Sequence, residues 1–576
     1  MPFQVIKNFI KKYWHFFILA ILTVVFFLGT ASFNYFAQKD GFVKWLSPDE
    51  TANYIFAKLY AETGELKIFE KYNLIAADII HPRSFRSDLG ALEPVSFLGI
   101  ILIYGKIAAL FGSKILPYLT PFFGAVGILF FYFLIKEIFG RANAFISALL
   151  LAFFPVYVYY GARSMFHNVL FIALLIIGLY FAVLMVKIGR EKNPPAPPLL
   201  KGVMHAALAG LFIGLAIITR ASELIWIAPM LVILWPFNIR KIGFVKLLVF
   251  LSFLFLSFLP VFYWNKILYG SFWRGGYPEM NESIAGIGAV SSDLVKTMAT
   301  GKTQYVKELA AQLKNKIFYF SLNPYQSLKT FYFYFTKMFY WLFWPAVFGF
   351  LLFAVKILKW KKKHVAFLFS YFFISLILLF YYGSWGFHDN PDPKSFTIGN
   401  SYTRYWLPIY LGAMPLASMF ILQLTKIFKN KYAIDIARMA IVVAIFFVSI
   451  KFVLAGSEEG LINSYEKIRG MKAEYDRILA MTEKNSVIIT RYHDKLFFPE
   501  RKVIVGLFDD AGMVTEYANL TKHLPVYYYN FTLPEKDLNY LNERRLPPAG
   551  LRIEAVKKIT DDFTLYKLIP FFPLSS

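Results

Sequence analysis

The 576-residue chain contains no cysteine. That zero removes disulfides, thiolate metal ligands and cysteine nucleophiles together, and it leaves the redox compartment open. Charge is scarce at 17% of residues, and acids are the scarcer sign, with 36 Asp and Glu against 61 Lys and Arg. Apolar residues fill the space: 58% of the chain is hydrophobic and 19% aromatic, and the mean hydropathy is +0.52. These values exclude an ordinary soluble chain and imply a polytopic membrane protein. A formal charge of +25 would suggest nucleic acid in a soluble protein. Here Lys and Arg fall in short clusters between apolar runs, where they set topology, so the expected partner is the lipid bilayer and not nucleic acid.

The first apolar run, 13 to 35, follows Lys7, Lys11 and Lys12. It is long enough for a bilayer core of roughly 30 Å and longer than a signal-peptide core, which predicts an uncleaved anchor with the N-terminus cytoplasmic. Further runs lie at 116 to 136, 143 to 161, 168 to 187, 203 to 219, 222 to 237, 246 to 264, 338 to 356, 365 to 382, 404 to 423 and 436 to 455, about eleven spans in all. Basic clusters recur at every second turn: Lys136 and Arg141; Lys187, Arg190, Lys192 and Lys201; Arg240, Lys241 and Lys246; Lys359 with Lys361 to Lys363; and Lys426, Lys429 and Lys431. An odd count places the C-terminus outside a cytoplasmic membrane. Counting the run Val95 to Phe111 as a span would invert every later cluster, so it is read as a juxtamembrane or re-entrant helix.

This pattern predicts an all-α membrane domain over 1–456, with a first outer loop at 36–115 and a large outer loop at 268–337. The first loop carries a second helical segment, Thr51 to Gly64, with apolar and charged residues at helical spacing. A charged tail, 457–576, has strand-like runs Val487 to Thr490, Val503 to Val505 and Val526 to Tyr529 beside a helix-like run Tyr465 to Met481. It is expected to be a small extracytoplasmic α/β domain. The Pro-rich run Asn193 to Pro198 reads as an inner linker.

Just beyond the first span stands Ser47-Pro48-Asp49-Glu50-Thr51. Ser47 suits an N-cap and Pro48 the first helical position, and both acids complement the helix dipole, so the segment has a structural reading whatever chemistry it carries. His388, Asp389 and Asp392 offer imidazole and oxygen donors for a divalent metal, although Asp-Asn-Pro-Asp is equally an ordinary turn composition.

In chain order the motifs are Pro48-Asp49-Glu50, Glu93-Pro94, Gly161-Ala162-Arg163-Ser164, Thr219-Arg220, Asn265 with Tyr269-Gly270-Ser271, and Tyr402-Thr403-Arg404-Tyr405-Trp406-Leu407-Pro408. An acidic pair after the first span, a built first outer loop, a basic motif in the next outer turn and an Arg-Tyr pair opening a late span together resemble the GT-C superfamily of lipid-linked-sugar glycosyltransferases. The order is most similar to the protein O-mannosyltransferase and aminoarabinose transferase branches. The chain departs from the pattern in its second outer turn, which offers Arg163, His167 and Asn168 where an acid is usual. It also has no Trp-Trp-Asp, which disfavours en-bloc glycan transfer to asparagine.

The resemblance implies transfer of a monosaccharide from a polyprenyl-phosphate donor to a hydroxyl of a protein, lipid or envelope glycan. Such a reaction needs a base for the acceptor and positive charge for the departing lipid phosphate, both at the membrane surface. One displacement at the anomeric carbon would invert it. Asp49 is the candidate base, with Glu50 sharing that role or positioning the acceptor. For the phosphate the candidates are Arg404, Arg163, Arg220, Arg83 and Arg86, because a guanidinium can hold two oxygens. Glu93, His81, His167, Tyr269, Tyr402 and Tyr405 are candidate substrate contacts. Two other classes share many spans and outer arginines: a glycan polymerase or ligase with lipid-diphosphate donors, and a lipid or solute transporter. Against transport stand the lack of an internal repeat and the few acids placed mid-span.

Overall fold

The computed structural model describes residues 2–187, 198–236, 238–299, 304–319, 321–355, 361–390, 392, 394–456 and 458–571. Asn193 to Pro197 of the Pro-rich run lie outside these residues, as do Arg190, Lys192 and Lys359 of the basic clusters. The chain divides into two compact units. The first comprises Met1–Asn34, Phe97–Ile100 and Pro117–Asn463, and the second Tyr35–Ser96, Ile101–Leu116 and Ser464–Ser576. The sequence groups the first outer loop with the membrane domain, whereas in the structure most of that loop belongs with the tail.

Among the described residues, eight helices are long and apolar enough to cross a membrane: Trp14–Ala37, Ser113–Phe139, His167–Lys187, Leu200–Thr219, Ile239–Tyr269, Lys362–Gly383, Leu407–Ile427 and Lys431–Ala455. Two bent helix pairs raise the number to 10 if each is one span. The first pair, Arg141–Phe153 and Pro155–Ala162, turns by 52°. Its cause is local: Pro155 forces Phe154 to an extended ψ of 121°, as proline does to the residue before it. The second pair, Pro324–Lys337 and Tyr340–Ala354, turns by 98° where Phe339 leaves helical geometry. The run 222 to 237 forms only an 11-residue helix, Leu224–Leu234, after a 3₁₀ turn at Ala221–Glu223. The run 404 to 423 is likewise split, into a short helix Ser401–Tyr405 and the span proper from Leu407, with Pro408 in the first turn of the latter. Leu98–Phe111 is a 14-residue apolar helix, short as its sequence implies.

Small residues let the helices of unit 1 approach closely, which matters in lipid because hydrophobic burial gives no preference for helix over lipid contact. Gly210 and Gly214 lie one turn apart on Pro198–Thr219 and face Ile239–Tyr269. A Cβ at Gly210 would collide with the Phe250 carbonyl oxygen, and one at Gly214 with Ser257 Oγ.

The described residues of unit 2 form two sheets. The smaller joins Ile68–Phe69, Ala91–Pro94 and Phe85–Asp88 in that spatial order, all antiparallel. In the larger, Lys502–Ile504, Val487–Ile489 and Val526–Phe531 run parallel, and Phe563–Pro570 and Leu551–Lys558 complete it as an antiparallel hairpin. The sequence marks the three parallel strands and the helix, found at Leu461–Met481, but not the hairpin. Leu551–Lys558 is an edge strand exposing Arg552, Glu554, Lys557 and Lys558, so its apolar signal is thin. Ala76 and Ile80 from the first loop are buried in the same core as Val487, Ile504, Val526 and Leu568.

Introducing leucine at Gly214 should separate Pro198–Thr219 from Ile239–Tyr269 and lower the melting temperature of the detergent-solubilised protein, with a cost of about 1–3 kcal/mol or more. Gly29→Ala, where nothing lies within 4 Å of the new Cβ, should leave the melt unchanged. An unaltered melt for Gly214→Leu would refute the close-packing account.

Candidate functional site

The acids after the first span start the helix Pro48–Thr63, with Ser47 as its N-cap and Gly64, at φ 76°, as its C-cap. Glu50 is the third helical residue and only 1% exposed; its Oε2 accepts from the Ser47 backbone N–H at 2.9 Å. This is the reciprocal half of a capping box, through which Glu50 helps hold the helix start. Asp49, one residue earlier, is half-buried, and its Oδ1 accepts from Ser84 Oγ at 2.7 Å. Ser84 has φ 62°, in the left-handed region that costs a non-glycine residue free energy. The strain thus sits at the residue that orients the Asp49 carboxylate. Motif reading did not find Ser84, because nothing in Pro-Arg-Ser-Phe signals that backbone.

Other first-loop candidates are engaged in structure. Arg86 and Glu93 are cross-strand partners, and Glu93, 1% exposed, accepts from Arg86 Nη2 at 2.7 Å and pairs with Lys67 Nζ at 2.8 Å. Arg83 grips Asp494 through its backbone N–H at 2.9 Å and through Nη2 at 2.5 Å. Both arginines are thus paired with buried carboxylates. His81 places Nδ1 3.0 Å from the carbonyl oxygen of Pro82.

Unit 1 gathers the other three arginines. The proline break at Phe154 starts the Pro155–Ala162 helix, which ends at its C-cap Arg163, and His167 starts the next span four residues later. Arg163 Nη1 donates to the Tyr159 hydroxyl at 2.9 Å, and its guanidinium lies 5.2 Å from the Phe166 ring. Arg404, on the short Ser401–Tyr405 helix, faces the same ring at 4.6 Å and the Tyr405 ring at 5.2 Å. Arg220 approaches Tyr405 at 4.5 Å, donates to the Tyr382 hydroxyl at 3.1 Å and pairs with Glu223 at 2.8 Å. Three cations are thereby threaded on two aromatic rings, with cation–π contacts at every step.

Glu223, 2% exposed, also accepts from Trp226 Nε1 at 2.5 Å and from Tyr382 at 2.8 Å. His167 is buried, with its ring edge-to-face against Phe97 at 5.6 Å. Tyr405 stacks on Tyr382 with centroids 4.6 Å apart. The Tyr402 hydroxyl donates to the Trp385 carbonyl oxygen, and Tyr269 is buried at the end of its helix beside Gly270, at φ 73°. Sequence reading missed Phe166, Glu223 and Tyr382. Only Glu223 left a trace, its three-residue spacing from Arg220, which suits an ion pair on one helical face.

The postulated metal group is not assembled. Asp389 Oδ2 accepts from the Ser401 backbone N–H at 3.0 Å and Ser401 Oγ at 2.5 Å, Asp392 accepts from the Lys394 backbone N–H, and His388 is exposed. Among the described residues no three His, Cys, Asp or Glu side chains cluster to hold a metal ion. What the arginine cluster offers chemically is concentrated positive charge among aromatic faces, suited to a phosphate.

Residues 98–264 match the family model described as dolichyl-phosphate-mannose-protein mannosyltransferase. Among solved structures, the chain is similar to the Archaeoglobus fulgidus oligosaccharyltransferase AglB in complex with an inhibitory peptide and a dolichol-phosphate. That match has a TM-score of 0.54 at 14% identity and covers 94% of this chain and 72% of that one. ArnT from Cupriavidus metallidurans, bound to undecaprenyl phosphate, matches with a TM-score of 0.53 at 11% identity, over 96% of this chain and 98% of its own. Curated protein sequences give no match. At these identities the likeness is one of fold alone.

Two outcomes are expected from these placements. Glu223→Ala strands a buried guanidinium and should destabilise unit 1 by about 3–5 kcal/mol, read as a lower unfolding midpoint; an unchanged midpoint would contradict the pairing. In unit 2, burial, then the Lys495 cation and the Arg83 guanidinium, push the His493 imidazole down to about 4 from 6.5, against the pull of Asp494; its Nε2 lies 3.3 Å from Glu474 Oε1. A folded value below the unfolded one means that the unfolded chain binds the extra proton. Stability is therefore lost as pH falls from about 6.5 towards 4, by on the order of 3 kcal/mol. Arg83 holds the Asp494 carboxyl below its usual range against the opposing effect of burial, which extends the loss to lower pH. Hydrogen exchange of unit 2 peptides should accelerate across that interval, less steeply in His493→Gln; a pH-independent rate profile, corrected for intrinsic exchange, would exclude this role for His493.

Proposed function

We propose that the protein is an integral membrane glycosyltransferase that moves a monosaccharide from a polyprenyl-phosphate donor to an acceptor hydroxyl on the outer face of a cytoplasmic membrane. The observation that carries this reading is the convergence of Arg163, Arg220 and Arg404 on the rings of Phe166 and Tyr405 in a bundle of membrane-length helices. Concentrating cations there is costly and suits a ligand whose charged head is a phosphate and whose tail stays in lipid. The polyprenyl phosphates named with the two structural relatives support the same ligand chemistry.

In the proposed step the acceptor oxygen attacks the anomeric carbon while Asp49 takes the hydroxyl proton. The new carbon–oxygen bond forms as the bond from the anomeric carbon to the phosphate oxygen breaks, and polyprenyl phosphate leaves with the electron pair. A single displacement inverts the anomeric centre. Ser84 holds the Asp49 carboxylate, Glu50 fixes the helix that carries it, and Arg404 and Arg163 neutralise the phosphate. Arg220, tied to Glu223, supplies a more compensated charge beside them.

Purified protein in nanodiscs, incubated with a panel of undecaprenyl-phosphate-linked sugars and candidate acceptors, should transfer sugar in a donor-dependent way. Asp49→Asn should lose about 10²- to 10⁴-fold in rate while inserting normally and still binding undecaprenyl phosphate. Near-normal transfer by that variant would sink the base assignment. Transfer only from diphosphate-linked donors would point to a polymerase or ligase, and lipid movement without transfer to a transporter.

A further inference from the structure

Arg404 stands on a helix of five residues, Ser401–Tyr405, too short to hold a long side chain by packing alone. Its Nη2 donates to Ser401 Oγ at 2.8 Å, one turn back on the same face. A serine hydroxyl can accept and donate at once, and this one donates onward to Asp389 Oδ2 at 2.5 Å. The same carboxylate oxygen takes the Ser401 backbone N–H at 3.0 Å, so it binds the helix start as well as the hydroxyl.

The loop carrying Asp389 is itself pinned. Asn390 Oδ1 accepts from Thr397 Oγ1 and from Asn400 Nδ2, each at 3.0 Å, and Asn390 Nδ2 donates to the Ser395 carbonyl oxygen at 2.6 Å. Asn400 Oδ1 in turn accepts from the Tyr402 backbone N–H at 3.0 Å. The carboxylate is thus delivered to Ser401 by a closed set of hydrogen bonds, although Asp389 itself is exposed.

We propose that Asp389, acting through Ser401, is a positioning residue for Arg404: the Asp389–Ser401–Arg404 relay holds the guanidinium between Phe166 and Tyr405, aimed at the lipid phosphate. A charge-assisted bond polarises the hydroxyl, which makes its oxygen the better acceptor for Arg404. The relay rests on the reading of Arg404 as a phosphate ligand, and it gives Asp389 a role distinct from metal binding.

The test is a double-mutant cycle on the full-length protein in nanodiscs, with undecaprenyl phosphate as the probe and its dissociation constant as the readout. Asp389→Ala and Ser401→Ala should each weaken binding about tenfold in the wild-type background and change nothing further in Arg404→Ala. Ser401→Thr, which restores a hydroxyl, should recover most of the affinity, and Asp389→Asn should fall between Asp389→Ala and wild type. If Arg404→Ala alone leaves affinity unchanged, the phosphate reading of Arg404 fails and the relay with it. If Arg404→Ala weakens binding while Asp389→Ala and Ser401→Ala do not, the phosphate reading stands and the relay is overturned. Equal losses from Asp389→Ala in both backgrounds also overturn the relay, since they would show an effect on the loop alone.

Discussion

Keeping guanidinium groups inside a bundle of apolar helices is the constraint on which unit 1 turns. Each must recover, from its neighbours, part of the solvation it loses. Here the recovery comes from faces and hydroxyls as much as from opposite charge. Phe166 serves Arg163 and Arg404, Tyr405 serves Arg404 and Arg220, and Tyr159, Ser401 and Tyr382 accept hydrogen bonds. Arg220 also has a carboxylate at close range, Glu223, itself buried and bonded to Trp226.

Proline decides where these side chains stand. Pro155 starts the short helix that ends at Arg163, and the break before Pro408 detaches Ser401–Tyr405 from the span that follows. Arginine in mid-helix would have to cross lipid or neighbours; at a break it can turn towards other helix ends. Unit 2 treats its charges in the opposite manner. Arg83 with Asp494, Arg86 and Lys67 with Glu93, and Lys44 with Glu500 pair cations to carboxylates directly. Such pairs fix a structure and hold no charge in reserve. This contrast separates Arg83 and Arg86 from Arg163 and Arg404, although all four look alike in a motif.

The helical bundle and the parallel strands of the tail were legible because their signals are continuous: long uncharged runs between basic clusters, and short β-branched runs between turns. The cap at Ser47 to Glu50 was legible because it is local. The broken span at Pro155 was concealed by uniform hydrophobicity, and the Leu551–Lys558 strand by its exposed charges. Ser84, Phe166 and Tyr382 are partners chosen by proximity across many residues, and no spacing rule reports them.

By itself, the sequence determined that the chain crosses a membrane many times, that a helix begins at Pro48 with two acids in its first turn, and that arginines stand at several turns between apolar runs. These are consequences of composition and of interactions between near neighbours. Only the tertiary structure decided that Asp49 meets Ser84, that two arginines are paired with carboxylates while three share aromatic rings, and that the first loop folds into one core with the tail. The reason is physical: a side chain's electrostatic role depends on what lies within a few ångströms of it, and that distance is set by chain segments hundreds of residues apart.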